Sequence, residues 1–277
     1  MPERRIVVIE PEGPREWYQP LEVFGEVEFF SPAGTIGPKL ARELARGSEA
    51  VIITSSCGFS AEDMDDLPTL RIIAKCGGKP SSVDVDAATG RGIAVTYVPG
   101  ANSSTVAEFT VMLILDCLRR FPFISTSIGK GLDRNTTDMF GRELLGKTVG
   151  LIGFGAVGKE VARRLAGFDC RVEVHDPFYE PDGSEPEYLA FRGSLDEVLP
   201  GLDVLSLHCN LSGSTQGMIG DRELKMMKPS AGVINTARAQ LVDELALEAA
   251  LREKRLAFAA LDVFTVEPPG PDHPLID

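Results

Sequence analysis

The chain has 277 residues, which is enough for two domains, and its hydrophobic fraction of 43% and charged fraction of 25% are typical of globular proteins. Its 41 acidic and 28 basic residues give a net charge of -13, which disfavours binding to nucleic acids and to anionic membranes. The five cysteines form no Cys-x-x-Cys pair and no apolar stretch could span a membrane, so we expect a cytoplasmic protein with reduced thiols and no metal site.

The first hundred residues alternate short apolar runs with helical patterns, which predicts a parallel sheet with crossover helices. The first run, residues 6–9, is too short for the core of a signal peptide and is typical of a strand. Helices are predicted at residues 36–46 and 60–67. The predicted strands of this small open sheet are residues 6–9, 27–30, 51–54, 71–74 and 95–98.

The dipeptide at residues 99–100, Pro-Gly, interrupts this pattern. We therefore predict a substrate-binding domain over residues 1–99 and a second domain over residues 100–277. A long helix follows, with a predicted capping box from Thr105 to Glu108 at its start. The segment 121–146 is mixed in composition and is predicted to be a loop.

A second alternating series begins at Thr148. Its predicted strands are residues 148–153, 171–176, 203–208, 232–236 and 257–263, with a weaker one at 189–192; its predicted helices are residues 159–168, 194–199, 221–227 and 243–254.

A Gly-x-Gly-x-x-Gly loop at Gly153, Gly155 and Gly158 lies between the apolar strand 149–152 and a predicted helix, and Asp176 ends the next strand. In a dinucleotide site the glycines make a tight turn, admit the pyrophosphate and let helix and strand pack closely. The aspartate binds the adenosine ribose and repels a 2′-phosphate, so the pattern favours NAD over NADP. The alternative is an ordinary glycine-rich turn with an incidental aspartate.

Three charged residues follow strands of the second domain and are candidates for substrate chemistry. Arg238 follows the strand 232–236, at the strand end where α/β sheets bind ligands, and its guanidinium suits a carboxylate. Asp262 ends the strand 257–261 and is placed to meet the nicotinamide carboxamide. Glu267 lies five residues later. From position alone, the alternatives are a surface arginine, a helix cap or structural salt bridge at Asp262, and a solvated glutamate.

Four segments resemble the D-isomer-specific 2-hydroxyacid dehydrogenase family, and together they span nearly the whole chain: residues 99–108, 146–158, 227–238 and 260–267. The resemblance implies an α/β protein with two doubly wound parallel-sheet domains, a flavodoxin-like substrate domain and an NAD-binding Rossmann domain. It implies hydride transfer between NAD and a small anionic 2-hydroxy or 2-keto acid, specific for the D-isomer. It also implies a homodimer, built from the long helix and the segment that leads to Gly146.

The resemblance assigns roles to individual residues. Arg238 matches the arginine that binds the substrate carboxylate and carbonyl, and Glu267 matches the glutamate that pairs with the catalytic histidine and raises its pKa. Contacts with the cofactor are implied for Gly153, Gly155, Ala156, Val157, Gly158, Asp176, Cys209, Thr236, Ala237 and Asp262.

The chain departs from the family pattern at the catalytic histidine, which the family carries in a Pro-His pair beyond the glutamate. The three histidines here, His175, His208 and His273, stand elsewhere in the sequence. We expect that the sequence stops before the last strand and return helix of the second domain. Turnover by these 277 residues is then expected to be poor, while NAD binding is retained.

A second departure lies in the loop that holds the substrate carboxylate in the family. Gly77 and Gly78 keep a backbone that a substrate can approach, and Lys79 adds a cation. Lys79 is interpreted equally well as a solvated lysine or as a site for a second anionic group on the substrate. Ser55 stands near the position of a phosphate-binding arginine in phosphoglycerate dehydrogenases, which argues against that substrate.

Three functions remain open at this point. Retention of Arg238 and Glu267 favours an enzyme, whereas the missing histidine favours a truncated chain or a catalytically silent NAD-binding scaffold or sensor. The third is oxidation of formate or phosphite on the same fold.

Overall fold

The computed structural model describes residues 4–10, 13–31, 36–54, 57–131 and 140–276. The chain divides into two compact units, Met1–Asn102 and Ser103–Asp277. No helix in the described ranges is long and apolar enough to cross a membrane.

The first unit holds one sheet of five parallel strands. The strands are β1 (Arg5–Ile9), β2 (Glu26–Phe30), β3 (Ala50–Ile53), β4 (Ile72–Lys75) and β5 (Ala94–Tyr97), and the helices are α1 (Pro38–Ala45), α2 (Ala61–Asp65) and α3 (Val85–Gly90). The strand order is β2-β1-β3-β4-β5. Alternate residues of the central strands, such as Val51 and Ile53, are fully buried and pack with all three helices in one hydrophobic core.

The second unit holds a sheet of six parallel strands. The strands are β6 (Thr148–Ile152), β7 (Arg171–His175), β8 (Leu189–Phe191), β9 (Val204–Leu207), β10 (Gly232–Asn235) and β11 (Phe258–Leu261); the helices are α4 (Ser103–Arg119), α5 (Phe121–Gly129), α6 (Ala156–Leu165), α7 (Leu195–Val198), α8 (Asp221–Met226) and α9 (Glu244–Arg252). The order is β11-β10-β9-β6-β7-β8.

Helices cover both faces of this second sheet. One core holds Val149 and Leu151 of β6 against α4 and α6, and the other holds Leu205 and Leu207 of β9 against α7, α8 and α9. Both faces of the central strands are therefore buried, as expected for a doubly wound parallel sheet. The prediction of an α/β fold with two parallel sheets is confirmed.

Two local predictions are wrong. Helix α4 begins at Ser103, so Thr105 lies inside the helix and does not cap it; the Glu108 carboxylate instead accepts hydrogen bonds from Ser104 Oγ (3.2 Å) and Arg164 Nη2 (3.1 Å). The segment 121–146 is not all loop, because residues 121–129 form α5, which starts with a proline in its first turn, where proline costs no hydrogen bond. Residues 132–139 of that segment lie outside the described residues.

Candidate dinucleotide and substrate site

The predicted cofactor residues of the second unit lie at one edge of its sheet. Each follows a different strand: the glycine loop follows β6, Asp176 follows β7, Cys209 follows β9, the turn 236–238 follows β10, and Asp262 follows β11. Four strand spacings separate β11 from β7, so the row spans about 19 Å. The glycine loop lies at the centre of the sheet, where the chain changes its direction of progress and where such sheets bind ligands.

The three glycines of the loop meet different surroundings. Gly153 has φ +97, and a Cβ there would lie 2.6 Å from the backbone nitrogen of Cys209. A Cβ on Gly158 would lie 2.3 Å from the carbonyl oxygen of Gly153. A Cβ on Gly155 would meet nothing within 4 Å, so this residue borders open space at the start of α6. Two glycines therefore serve the fold, and the third leaves room for a ligand at the helix N-terminus.

Backbone amides hold the carboxylate of Asp176. Its Oδ2 accepts a hydrogen bond from the Phe154 amide (2.7 Å), inside the glycine loop, and its Oδ1 accepts one from the Phe178 amide (2.9 Å). Each oxygen keeps a free lone pair for a further donor, such as a ribose hydroxyl. A hydrogen bond thus joins the two parts of the predicted nucleotide site, the glycine loop and Asp176.

Ala156 and Val157 form the first turn of α6, and Cys209 lies beside Gly153. The Cys209 Sγ is 3.6 Å from Met218 Sδ, and burial raises the pKa of the thiol to about 11. Cys209 is therefore an uncharged, packed side chain at neutral pH, suited to contact a ligand without reacting.

The turn after β10 is braced by Asn235, which the sequence analysis did not single out. Its fully buried side chain accepts a hydrogen bond from the Ala237 amide (3.0 Å) and donates one to the Arg238 carbonyl (2.9 Å). Thr236 Oγ1 lies 2.9 Å from Thr110 Oγ1 of α4. Arg238 is exposed and forms no ion pair within the described ranges; its Nη1 donates to the Ala237 carbonyl (2.6 Å), which leaves its other N–H groups for a ligand.

Asp262 and Glu267 lie on the exposed segment that follows β11. The Asp262 amide donates to the Asn235 carbonyl (3.0 Å), and Glu267 Oε1 accepts from the Phe264 amide (3.1 Å). Partial burial and the charge of Glu267 raise the pKa of Asp262. The two carboxylates are therefore within electrostatic reach of each other.

Within the described ranges, none of the three histidines forms a hydrogen bond or ion pair with Glu267, although the ring of His273 packs against Phe264 (centroids 5.2 Å apart). His273 Nε2 is 3.8 Å from Glu244 Oε2, and His175 Nδ1 is 3.1 Å from the Arg192 carbonyl oxygen. His208 Nε2 is 2.9 Å from Ser206 Oγ, and burial lowers the pKa of this imidazole to about 4. His208 is therefore neutral at physiological pH.

Residues 111–277 match the family model described as the NAD binding domain of D-isomer specific 2-hydroxyacid dehydrogenase. The match covers more than half of the chain. The chain belongs to this family.

Individual dehydrogenases agree with this family assignment. The chain is 37% identical to a D-3-phosphoglycerate dehydrogenase of Archaeoglobus fulgidus over 238 residues, which are 86% of this chain and 45% of that protein. It is 33% identical to a glyoxylate reductase of Korarchaeum cryptofilum, over 98% of this chain and 82% of that protein. It spans about half the length of the phosphoglycerate dehydrogenases that it matches.

The fold agrees with solved structures as well. The TT0316 protein of Thermus thermophilus aligns with a TM-score of 0.86 at 33% identity, over 98% of this chain and 85% of that protein. The second unit of this 2-hydroxyacid dehydrogenase family member is accordingly an NAD-binding Rossmann domain, and the open space at Gly155 and the lone pairs of Asp176 fit that cofactor.

In the first unit, Gly77, Gly78 and Lys79 follow β4. Gly77 has φ +146, and a Cβ on either glycine would meet nothing within 4 Å. Lys79 is exposed beside a shallow surface depression that Asp84 and Asp86 also line. The position of Ser55, which bears on a phosphate group, lies outside the described residues.

Lys75, at the end of β4, is a charged residue that the sequence analysis missed. Only 5% of it is exposed, and its ammonium donates to the Thr54 carbonyl (3.0 Å) and to Ser82 Oγ (3.1 Å). Ser82 Oγ in turn donates to the Cys57 carbonyl (2.7 Å). Through these bonds Lys75 connects the end of β3 with the loop that follows Gly77. The sequence signal that could have identified it is a lysine within an apolar strand.

Proposed function

We propose that this protein is an NAD-dependent oxidoreductase that transfers a hydride between the nicotinamide and a small anionic 2-hydroxy or 2-keto acid with D-stereochemistry. The row of groups along the carboxyl edge of the second sheet carries this proposal. It begins with the ribose-binding group Asp176 and ends with the cation of Arg238 and the carboxylates of Asp262 and Glu267. The substrate-binding domain is then residues 1–99, which lie within the first unit, and residues 100–277 form the cofactor domain.

Different side chains of the second unit have different roles in the proposed reaction. The cofactor, when bound, supplies or accepts the hydride. Arg238 binds the substrate carboxylate through paired N–H donors and polarises the carbonyl oxygen. Asn235 holds the turn that carries this arginine. Asp262 accepts a hydrogen bond from the carboxamide and so orients the ring, while Glu267 orients the group that moves the hydroxyl proton.

Lys79 is proposed to bind a second anionic group on the substrate. Its exposure supports access, and the nearby Asp84 and Asp86 leave it as the single cation of that depression among the described residues. Lys79→Ala is then expected to lower kcat/KM for dicarboxylic or phosphorylated 2-ketoacids and to leave the value for glyoxylate unchanged. If Lys79→Ala has the wild-type kcat/KM for all of these acids, this role is refuted.

The proposed assembly is a homodimer in the cytoplasm. Helices α4 and α5 and the segment after residue 139 leave large apolar side chains exposed: Phe109, Met112, Phe121, Phe123, Ile128, Phe140 and Leu145. Patches of this kind mark interfaces. All five cysteines are free thiols, which suits a reducing compartment. Sedimentation equilibrium tests the dimer, and a monomer at micromolar concentration would contradict it.

NADH oxidation with a panel of 2-ketoacids tests the proposed reaction. We expect NADH to bind in the micromolar range and at least one 2-ketoacid to oxidise it faster than buffer does. A second candidate is NAD binding without turnover, and its support is that no histidine of the described ranges is hydrogen-bonded or ion-paired with Glu267. Binding of NADH with no oxidation by any acid of the panel would favour that candidate.

A further inference from the structure

Three aromatic rings meet behind the glycine loop. Phe154, the residue between the first two glycines, is only 6% exposed. Its ring makes edge-to-face contacts with Tyr179 (centroids 4.9 Å apart) and with Phe191 (5.3 Å), and Tyr179 and Phe191 stack on each other at 5.1 Å. Each such aromatic pair adds a favourable free energy beyond that of burial, so the ring of Phe154 is held in one position.

Further contacts hold the ring of Tyr179. The Tyr179 hydroxyl donates to Glu185 Oε1 (2.9 Å), and the amides of Asp182 and Gly183 donate to the same carboxylate. The ammonium of Lys159, in the first turns of α6, lies 4.9 Å from the centroid of the Tyr179 ring. The ring of Tyr179 is therefore fixed from the loop side and from the helix side.

Phe154 connects the three rings to the nucleotide site. The amide of Phe154 donates to Asp176 Oδ2, so this peptide is one of the two amide donors that set the direction of the Asp176 carboxylate. The next residue, Gly155, has no side chain to pack, and its carbonyl accepts the first hydrogen bond of α6 from the Lys159 amide (3.0 Å). The rings are the side-chain restraint on the half of the loop that must meet the pyrophosphate.

We propose that Phe154, Tyr179 and Phe191 form an aromatic clamp that holds the glycine loop in its dinucleotide-binding conformation, with Tyr179 as a positioning residue for NAD affinity. The inference rests on the NAD binding of the proposed function. A loop ordered before binding loses less conformational entropy when the ligand arrives, so the clamp acts on affinity without touching the reacting atoms.

Calorimetric titration of the full chain with NADH and with ADP-ribose tests the clamp. Tyr179→Leu removes the ring, and we expect the Kd for both ligands to rise by the same factor, about five- to tenfold. Tyr179→Phe keeps the ring and loses only the bond to Glu185, so its Kd is expected to rise about twofold or less. Phe191→Leu tests the same clamp from β8 and should behave like Tyr179→Leu.

Phe168→Leu is the matched control, because Phe168 packs on the same core at the far end of α6. It should leave both Kd values unchanged. Hydrogen exchange of amides 153–158 without ligand separates positioning from plain contact: we expect faster exchange in Tyr179→Leu than in Phe168→Leu at equal global stability.

Wild-type binding with Kd values within twofold in Tyr179→Leu and Phe191→Leu would overturn the clamp, and so would weaker binding with unchanged exchange in the free loop. If the wild-type chain binds neither ligand, the proposed NAD binding fails, and the clamp fails with it.

Discussion

The two ends of the second unit's site differ in how firmly the chain holds them. The glycine loop and Asp176 are fixed by backbone packing, by two amides on one carboxylate and by three aromatic rings. Residues 262–276 are mostly exposed, and the contacts that tie them to the rest of the unit include the Asp262 amide to the Asn235 carbonyl, the Thr265 amide to Glu244 (2.8 Å) and His273 beside Glu244. The half of the site around the glycine loop is therefore ordered before a ligand binds, whereas the half that carries Glu267 depends on a few contacts.

The largest expected effect comes from Gly158→Ala. Its Cβ would lie 2.3 Å from the Gly153 carbonyl oxygen, a backbone atom that cannot move aside cheaply. We expect a loss of unfolding free energy of about 2–4 kcal/mol together with the loss of NADH binding. Urea denaturation and NADH titration measure both. A variant with wild-type stability would show that the cofactor half is not rigid.

Gly155→Ala separates ligand binding from folding. The new methyl group meets nothing in the chain but occupies the space expected for the pyrophosphate, so the Kd for NADH should rise at least about tenfold. The unfolding free energy should stay within about 0.5 kcal/mol of wild type. Gly167→Ala, whose methyl group also meets open space, is the control and should change neither quantity.

Asp176→Ser tests the choice of cofactor. Removing the carboxylate removes its repulsion of a 2′-phosphate, so the affinity ratio of NADPH to NADH should rise about tenfold or more. Competition binding with the two cofactors measures the ratio. An unchanged ratio would mean that Asp176 does not face the ribose.

The smallest effect concerns Asp262, whose pKa is raised in the folded chain by burial and by the charge of Glu267. An acid with a raised folded-state pKa destabilises the fold where it is ionised, above its unfolded pKa, and this cost disappears as the pH falls. Because Asp262 is exposed and solvent screens its charge, Asp262→Asn should add only about 0.5 kcal/mol or less to the unfolding free energy at pH 7, with no gain near pH 3. Urea denaturation at both pH values checks this, with Asp272→Asn as the control; a gain independent of pH would contradict it.

Much of this fold was predictable from the sequence, because the strands are short apolar runs bounded by polar residues. β6, for example, begins at the predicted Thr148 and ends one residue early. The 3₁₀ helix Arg15–Val23 was missed because none of its residues is buried, so no periodic apolar face marks it. Helix α3 was also missed, because it is only six residues long and buries Ala88 alone.

The site divides in the same way. The glycine loop and Asp176 form a local pattern whose spacing has a physical reason, so the sequence could single them out. Lys75 and the partners of Phe154 act through contacts with residues distant in the chain, so no short sequence spacing marks them. Asn235 bonds to the nearby Ala237 and Arg238, but an asparagine at the end of a strand is too common a feature to single out. The roles of Arg238 and Glu267 came from the family resemblance, and they stay predictions until variants are assayed.

Transfer of deuterium from NADH labelled at C4 of the nicotinamide tests the central claim most directly. Incubated with stoichiometric protein and each 2-ketoacid in turn, the label should appear at C2 of a D-2-hydroxy acid for at least one acid, even if turnover is slow. NMR of the product with a chiral shift reagent measures its position and configuration. NADH that binds in the micromolar range but leaves no deuterium in any hydroxy acid would contradict the proposed hydride transfer.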